Sequence, residues 1–351
     1  MALRQRVRPE PGQYDYGLYN LIFENSNDGK FNLNKSFGFN SHRSGWGAVM
    51  GQLGSLHHES GIVVDSFIEK TFGWMQNLSS EYTAPWVGFI HNPPNIPEWY
   101  RDFNKLQYIF QTEPFLKSLK HCKGFYTLST YLKNWVVDNL PKGYDIPVNS
   151  LYHPCAGSDF LPFDYDNWLR NSEQMVLDVG TWLRKQSTLH EVQTGNMRKV
   201  KLCPKGHESG TTNRDTMKRF FNHELIHLGK NSFVGGSVVD IEGISNVTYD
   251  YLLSRNIVFF DCWDTSANNT LVECIERTTP VMCPNHPAIV EYVGESYPML
   301  YDNSAHASEL LRDETNILKA HNYLKTIVES KKLSIDHFIR DLKQSEIYSN
   351  I

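Results

Sequence analysis

Apolar and polar positions along the chain follow two alternating rhythms. In KFNLNKSFGFN, residues 30–40, apolar side chains recur at nearly every second position, which predicts a strand. GWGAVMGQLGSLHH, residues 45–58, spaces them for one face of a helix, with Ser44 and Gly45 at its start. GIVVDSF predicts a second strand. APWVGFIHNPP predicts a buried one that stops at Pro93 and Pro94, because proline offers no ladder donor and restricts the residue before it. Helical FLKSLKHC, strand GFYTLS and helical TYLKNWVVDNL continue the series. Strands alternating with helices imply a mostly parallel sheet covered on both faces.

Between Pro147 and Trp168 the rhythm breaks into HPCAGSDFLPFDYDNW, whose turn-forming residues mark an interdomain linker. It then restarts with strand QMVLDVG, helical DTMKRFFNHELIHL, strand SVVDIEG and helical NVTYDYLLSR. Strand NIVFFD, helical NTLVECIER and strand PVMCP follow. Two successive α/β domains are expected, which suits a chain of 351 residues, with a ligand crevice between them.

Composition adds exclusions. With 40% hydrophobic and 21% charged residues the chain is an ordinary globular protein. A formal charge of -5 supplies no global field for nucleic acid, which is not the expected partner, although a local basic patch stays open. No apolar run approaches the roughly 20 residues of a membrane helix. The start, MALRQRVRPEPGQ, lacks the apolar stretch of a signal peptide, so a cytoplasmic protein is expected. The six cysteines stand singly, with no C-x-x-C pair, as buried reduced thiols would.

The segment richest in candidate chemistry is NIVFFDCWDTSANNTLVECIERTTPVMCPNHPAIVEYVG, residues 256–294. A strand ending near Asp261 leads through Ser266, Ala267, Asn268 and Asn269 into a helix carrying Glu273. Small side chains let a ligand approach the backbone, and free amides at a helix start favour a phosphate. Glu273, one turn inside, is placed to reach a ribose hydroxyl. Ordinary helix capping accounts for the same Asn and Ser residues, and spacing alone does not decide.

This segment resembles the nucleotide-binding region of GT-B glycosyltransferases, especially the retaining family related to glycogen and sucrose synthases. ECIERTTPVM is similar to that family's E-A-hydrophobic-x-x-G-x-P-V, which aligns Glu273 with the second of its two glutamates. The first falls on Thr265, with Asp264 beside it, a departure that leaves donor sugar and stereochemistry open. ANNTLVECIERTTP and HPAIVEYVGESYP also look like a group of bacterial and viral polysaccharide-type transferases.

The resemblance implies an α/β GT-B fold of two Rossmann-like domains facing across a crevice. An acceptor domain would span 1–160, a nucleotide-sugar domain 161–325, and a helical segment 326–351 would return to the first domain. It implies transfer of a sugar, with retention, from a UDP- or GDP-sugar to a glycan or other hydroxyl-bearing acceptor, with no obligatory metal or cofactor. Thr265, Ser266, Ala267, Asn268, Asn269, Thr270 and Glu273 would line the donor. Arg184 and Lys185, in TWLRK after strand QMVLDVG, match the basic pair that binds the diphosphate, a role suited to a forked guanidinium and a point-charge ammonium. SHRSGWG looks like the glycine-rich loop beneath the donor sugar, with Gly45 permitting close approach and Arg43 and Trp46 placed to bind acceptor or donor. Trp99 would line the same crevice. His91 matches a strand-end histidine of the family, and Asp65 is the candidate general base if the enzyme inverts, or else a cap for the next helix.

Two other classes remain. HELIH, residues 223–227, matches the zincin pattern, in which His223 and His227 bind zinc and Glu224 activates water. Gly229 and Asn231 follow at once and predict a helix end, and Lys230 stands where the longer metzincin pattern requires glycine. Thr265 in place of a glutamate favours the other class, a non-catalytic sugar-binding relative.

Overall fold

A computed structural model describes residues 3–6, 18–39, 46–74, 81–155, 161–203, 213–230 and 237–351. The expected glycine-rich loop with Arg43, Ser44 and Gly45 lies outside the described residues. The chain divides into two units. The first comprises Met1–Ala156, Asp264–Ala267 and Lys332–Ile351, and the second Gly157–Trp263 and Asn268–Lys331.

In the first unit, β1 (Leu3–Arg6), β2 (Leu18–Ile22) and β4 (Phe37–Phe39) form a small antiparallel sheet in that order. β3 (Phe31–Asn32), β5 (Ile62–Asp65), β6 (Trp86–Ile90), β7 (Cys122–Thr127) and β8 (Val148–Ser150) form a parallel sheet, also in that order. The single strand expected over 30–40 is therefore split between two sheets. The Asn32 side chain accepts from the Asn34 amide at 3.1 Å, and the Ser36 amide donates to the Leu33 carbonyl at 2.9 Å, turning the chain between them.

β6 is buried at every position and lies at the centre of its sheet, as an uninterrupted WVGFI run requires. Helix Trp46–Gln52 packs Trp46, Val49 and Met50 into a core shared with Phe89 and Tyr126. The C-terminal helices Ile335–Gln344 and Glu346–Ser349 add Phe338, Leu342, Ile347 and Tyr348 to this core. Each such side chain contributes roughly 1.5–3 kcal/mol by leaving water. The Tyr126 hydroxyl and Ser345 Oγ, 2.9 Å apart, fix where the last helix docks.

The second unit is a six-stranded parallel sheet of order β11-β10-β9-β12-β13-β14. The strands are β9 (Met175–Val179), β10 (Arg198–Cys203), β11 (Val238–Glu242), β12 (Ile257–Phe259), β13 (Val281–Pro284) and β14 (Leu300–Tyr301). β10, RKVKLC, goes unrecognised in the sequence because basic residues break its apolar run. In the sheet Lys201 Nζ lies 3.1 Å from Asp178 Oδ2, and Lys199 Nζ donates to the His190 carbonyl at 3.0 Å. Strand order reverses between β9 and β12. Ligands of open α/β sheets bind outside the carboxyl ends of strands at such a point. Among the described residues no helix is long and apolar enough to cross a membrane.

Candidate functional site

The loops that leave β9 and β12 are tied together at that switch point. Gly180 turns the chain after β9 with φ +97, and Leu183, a buried non-glycine residue, has φ 56. A left-handed leucine costs roughly 1–2 kcal/mol, so this turn is held by its surroundings. The Trp263 amide donates to the Leu183 carbonyl at 2.9 Å and the Lys185 amide to the Asp261 carbonyl at 3.1 Å, joining the two loops.

Arg184 reaches back under this turn and is 8% exposed. Its Nε donates to the Val179 carbonyl at 3.1 Å, and its Nη2 to Asn268 Oδ1 and Thr270 Oγ1, each at 3.1 Å. The guanidinium also lies over the Phe260 ring, 4.9 Å from its centroid. Lys185 Nζ is 3.4 Å from Asp261 Oδ1 and 5.5 Å from the Trp263 ring centroid.

Asn268 caps helix Asn269–Glu276, its Oδ1 accepting from the Leu271 amide at 3.2 Å. The structure thus seats a guanidinium at the positive end of a helix. A cation there is unfavourable by itself, and an anion bound beside it reverses the sign. Of the expected residues, Arg184, Asn268 and Thr270 meet at this point, with Asn269 the first residue of the helix, while Lys185 follows Arg184 in the turn and its side chain pairs with Asp261.

Glu273, one turn further in, is buried. Its Oε2 lies 3.8 Å from Arg277 Nη2, and the Tyr249 hydroxyl is bonded to it. Arg277 also pairs with Asp250. Burial and the Glu273 carboxylate push the Tyr249 hydroxyl well up from its ordinary value, so it stays a donor. Thr278, where the resembling pattern has glycine, sits at φ 55.

Thr265, Ser266 and Ala267 divide from the residues that follow them and belong to the first unit. Asp264, 1% exposed, accepts from the Asn95 amide at 2.7 Å and the Tyr131 hydroxyl at 3.2 Å on Oδ2. Its Oδ1 accepts from the Thr265 amide at 2.8 Å. Ser266 Oγ is 3.2 Å from Ser129 Oγ, and Ala267 packs against the core around Trp46.

Elsewhere in the first unit, the His91 ring stacks on Phe67 at 4.0 Å and meets the Trp46 edge at 4.5 Å, while its Nε2 donates to the Ser66 carbonyl at 3.0 Å. The His91 and Asn92 amides both donate to Glu69 Oε1, at 2.8 and 2.7 Å. Burial pushes the Glu69 carboxyl up to about 7. Sequence reasoning missed Glu69, since its partners lie 22 and 23 residues away and no local motif marks it.

Two more of the expected site residues are buried. Asp65 is buried, its carboxylate accepting from the Phe67 amide and the Tyr82 hydroxyl, each at 3.1 Å, and burial pushes its carboxyl up. A general base must reach the proton it removes, and this carboxylate faces its own unit's core. Trp46 is 3% exposed, its ring packed among Phe89, His153 and Phe338. Trp99 is half-buried after the strand-end prolines.

In the HELIH run, on helix Asn213–His227, Glu224 is buried and accepts from the Gln186 amide at 2.7 Å, the Ser187 amide at 3.3 Å and Ser187 Oγ. The His227 ring meets Trp263 edge-on at 5.4 Å. Among the described residues no three His, Cys, Asp or Glu side chains are grouped to hold a metal ion.

No family model matches the chain, and no curated protein matches it by sequence. Solved structures do match. Sucrose-phosphate synthase from Thermosynechococcus elongatus superposes with a TM-score of 0.59 at 11% identity, over 81% of this chain and 72% of that one. The Anabaena protein HepE in complex with UDP-glucose gives 0.54 at 10% identity, over 76% of this chain and 72% of that one. TarM gives 0.54 at 11% identity over 86% of this chain, which spans 57% of TarM. At such identities the likeness establishes architecture: the chain has the GT-B fold.

Proposed function

We propose that this GT-B chain is a glycosyltransferase that binds a UDP- or GDP-sugar and transfers the sugar to a hydroxyl of a glycan or similar acceptor. One observation supports the reading: the Arg184 guanidinium is held at the amino end of helix Asn269–Glu276, next to Lys185 in the chain, where a diphosphate would find positive charge. HepE, which shares the fold, is known with UDP-glucose bound.

In the reaction an acceptor hydroxyl oxygen attacks the anomeric carbon as the bond to the diphosphate breaks, and the hydroxyl proton passes to the leaving phosphate oxygen. Negative charge grows on the leaving phosphate. Arg184, Lys185 and the positive end of the helix would stabilise it, and preorganised electrostatics of this kind usually contributes most to catalysis. These groups supply the positive charge from the protein itself, which supports a reaction without an obligatory metal. Glu273 would hold the ribose, kept in place by Arg277 and Tyr249. The second unit would therefore bind the donor and the first the acceptor. The burial of Asp65 removes the best candidate base for inversion and favours a retaining transfer.

A second reading rests on Asp264. The carboxylate next to the Thr265 position is committed to Asn95 and Tyr131, as suits a sugar-nucleotide-binding protein without turnover. Calorimetry with UDP, GDP and their sugars, followed by assay of nucleoside diphosphate release, separates the two. Binding with release supports the transferase, binding without release the inert binder, and no binding removes both.

A further inference from the structure

The HELIH run has a role that the donor site itself suggests. Glu224 is a buried carboxylate near the end of its helix, and burial raises its carboxyl above the ordinary range. A carboxyl group without partners would be costly in such a place. It is satisfied by the Gln186 amide at 2.7 Å, the Ser187 amide at 3.3 Å and the Ser187 hydroxyl. These donors follow Arg184 and Lys185 directly in the chain.

A second carboxylate holds the same stretch. Asp261 Oδ2 accepts from Thr188 Oγ1 at 2.8 Å, its Oδ1 lies 3.4 Å from Lys185 Nζ, and its carbonyl accepts from the Lys185 amide at 3.1 Å. Residues 185–188 are thus bonded to Glu224 and to Asp261, beginning two positions after the strained Leu183. Strain of that kind persists only where neighbours over-determine the backbone.

We propose that Glu224 is a positioning residue for the donor: it fixes the Gln186–Ser187 backbone so that Arg184 and Lys185 are presented to the diphosphate. The inference rests on the donor reading above. It gives the HELIH glutamate a task through the turn rather than through a metal-bound water. A misplacement of about 1 Å in such a support is enough to weaken a site by orders of magnitude.

The test compares Glu224→Ala, Glu224→Gln and Met217→Ala by calorimetry with UDP and GDP, alongside amide exchange at Gln186 and Ser187. Met217 is buried on the same helix and serves as a destabilised control that keeps Glu224. Glu224→Ala should weaken binding about ten-fold and speed exchange at both amides. Glu224→Gln, which keeps an acceptor oxygen, should recover most of the affinity, and Met217→Ala should bind like wild type. Unchanged affinity in Glu224→Ala, or an equal loss in Met217→Ala, overturns the proposal. Failure of wild type to bind either nucleotide is seen before any variant is made, and it overturns the donor reading instead. Exchange then decides the clamp alone, with equal rates in wild type and Glu224→Ala sinking it.

Discussion

Arg184 and Asn268 meet through a 3.1 Å bond between a guanidinium nitrogen and the same amide oxygen that caps helix Asn269–Glu276. One oxygen therefore serves both the helix start and the basic turn. Movement of either is felt by the other, because the oxygen cannot satisfy both donors from a new position.

Replacing Arg184 should consequently disturb affinity and stability together. Arg184→Ala is expected to weaken UDP or GDP binding at least about ten-fold, since hydrogen bonds to charged groups are worth roughly 1.5–3 kcal/mol. Lys185→Ala, at a more exposed residue, should weaken binding with a smaller fall in melting temperature. Calorimetry and thermal unfolding on both variants check this, and identical affinities in wild type and Arg184→Ala would refute it.

Gly180 has a comparable reach. With φ +97, a Cβ there would stand 2.9 Å from Arg184 Nη2, so Gly180→Ala combines backbone strain with displacement of the guanidinium. The strain alone should cost about 1–2 kcal/mol in denaturant unfolding. Nucleotide affinity should fall as well, which a purely local strain would not cause.

Thr278 offers the opposite change. It holds φ 55 where the resembling glycosyltransferase pattern has glycine, while its carbonyl stays bonded to His321 at 2.8 Å, a contact glycine keeps. Thr278→Gly should stabilise the protein by about 0.5 kcal/mol, the relief of strain exceeding the extra freedom of the unfolded chain. A lower denaturation midpoint would count against it.

Glu69 sets a pH dependence. Its folded carboxyl is raised from 4.5 to about 7, chiefly by burial, so between these values the native state keeps a proton that the unfolded chain has lost. Stability should therefore fall as pH rises through this window, by up to roughly 3 kcal/mol from this group. Glu69→Gln, neutral throughout, should remove that part of the slope. Unfolding of both proteins at about pH 5 and about pH 8 tests it, and a wild-type-to-variant difference that is equal at the two pH values would rule out this titration.

Much of the architecture was legible because apolar periodicity reports which face is buried, and β6, β9 and helix Asn269–Glu276 are buried as their patterns require. β10 was hidden because its lysines are inside, where Asp178 and the His190 carbonyl make charge tolerable. The basic turn and the helix start were visible as composition, but their bond joins residues 84 apart in sequence. Asp65 and Trp46 looked functional because polarity and aromaticity near a strand end or glycine turn suit a site. Burial, which no local window reveals, assigned them to the interior. Glu224 was read through its neighbours in HELIH, whereas its partners lie 37 and 38 residues earlier.

The four-residue excursion Asp264–Ala267 bears on how the protein can be taken apart. A fragment ending at residue 155 would omit the acceptor for the Asn95 amide and the Tyr131 hydroxyl, as well as Phe338, Leu342 and Tyr348 from its core. Conversely, a continuous fragment of residues 157–331 would carry Asp264 and its neighbours away from the groups that bind them. Neither unit is a continuous stretch of chain, so a cut at the linker between them yields two incomplete pieces, and dissection requires re-joining distant segments or circular permutation.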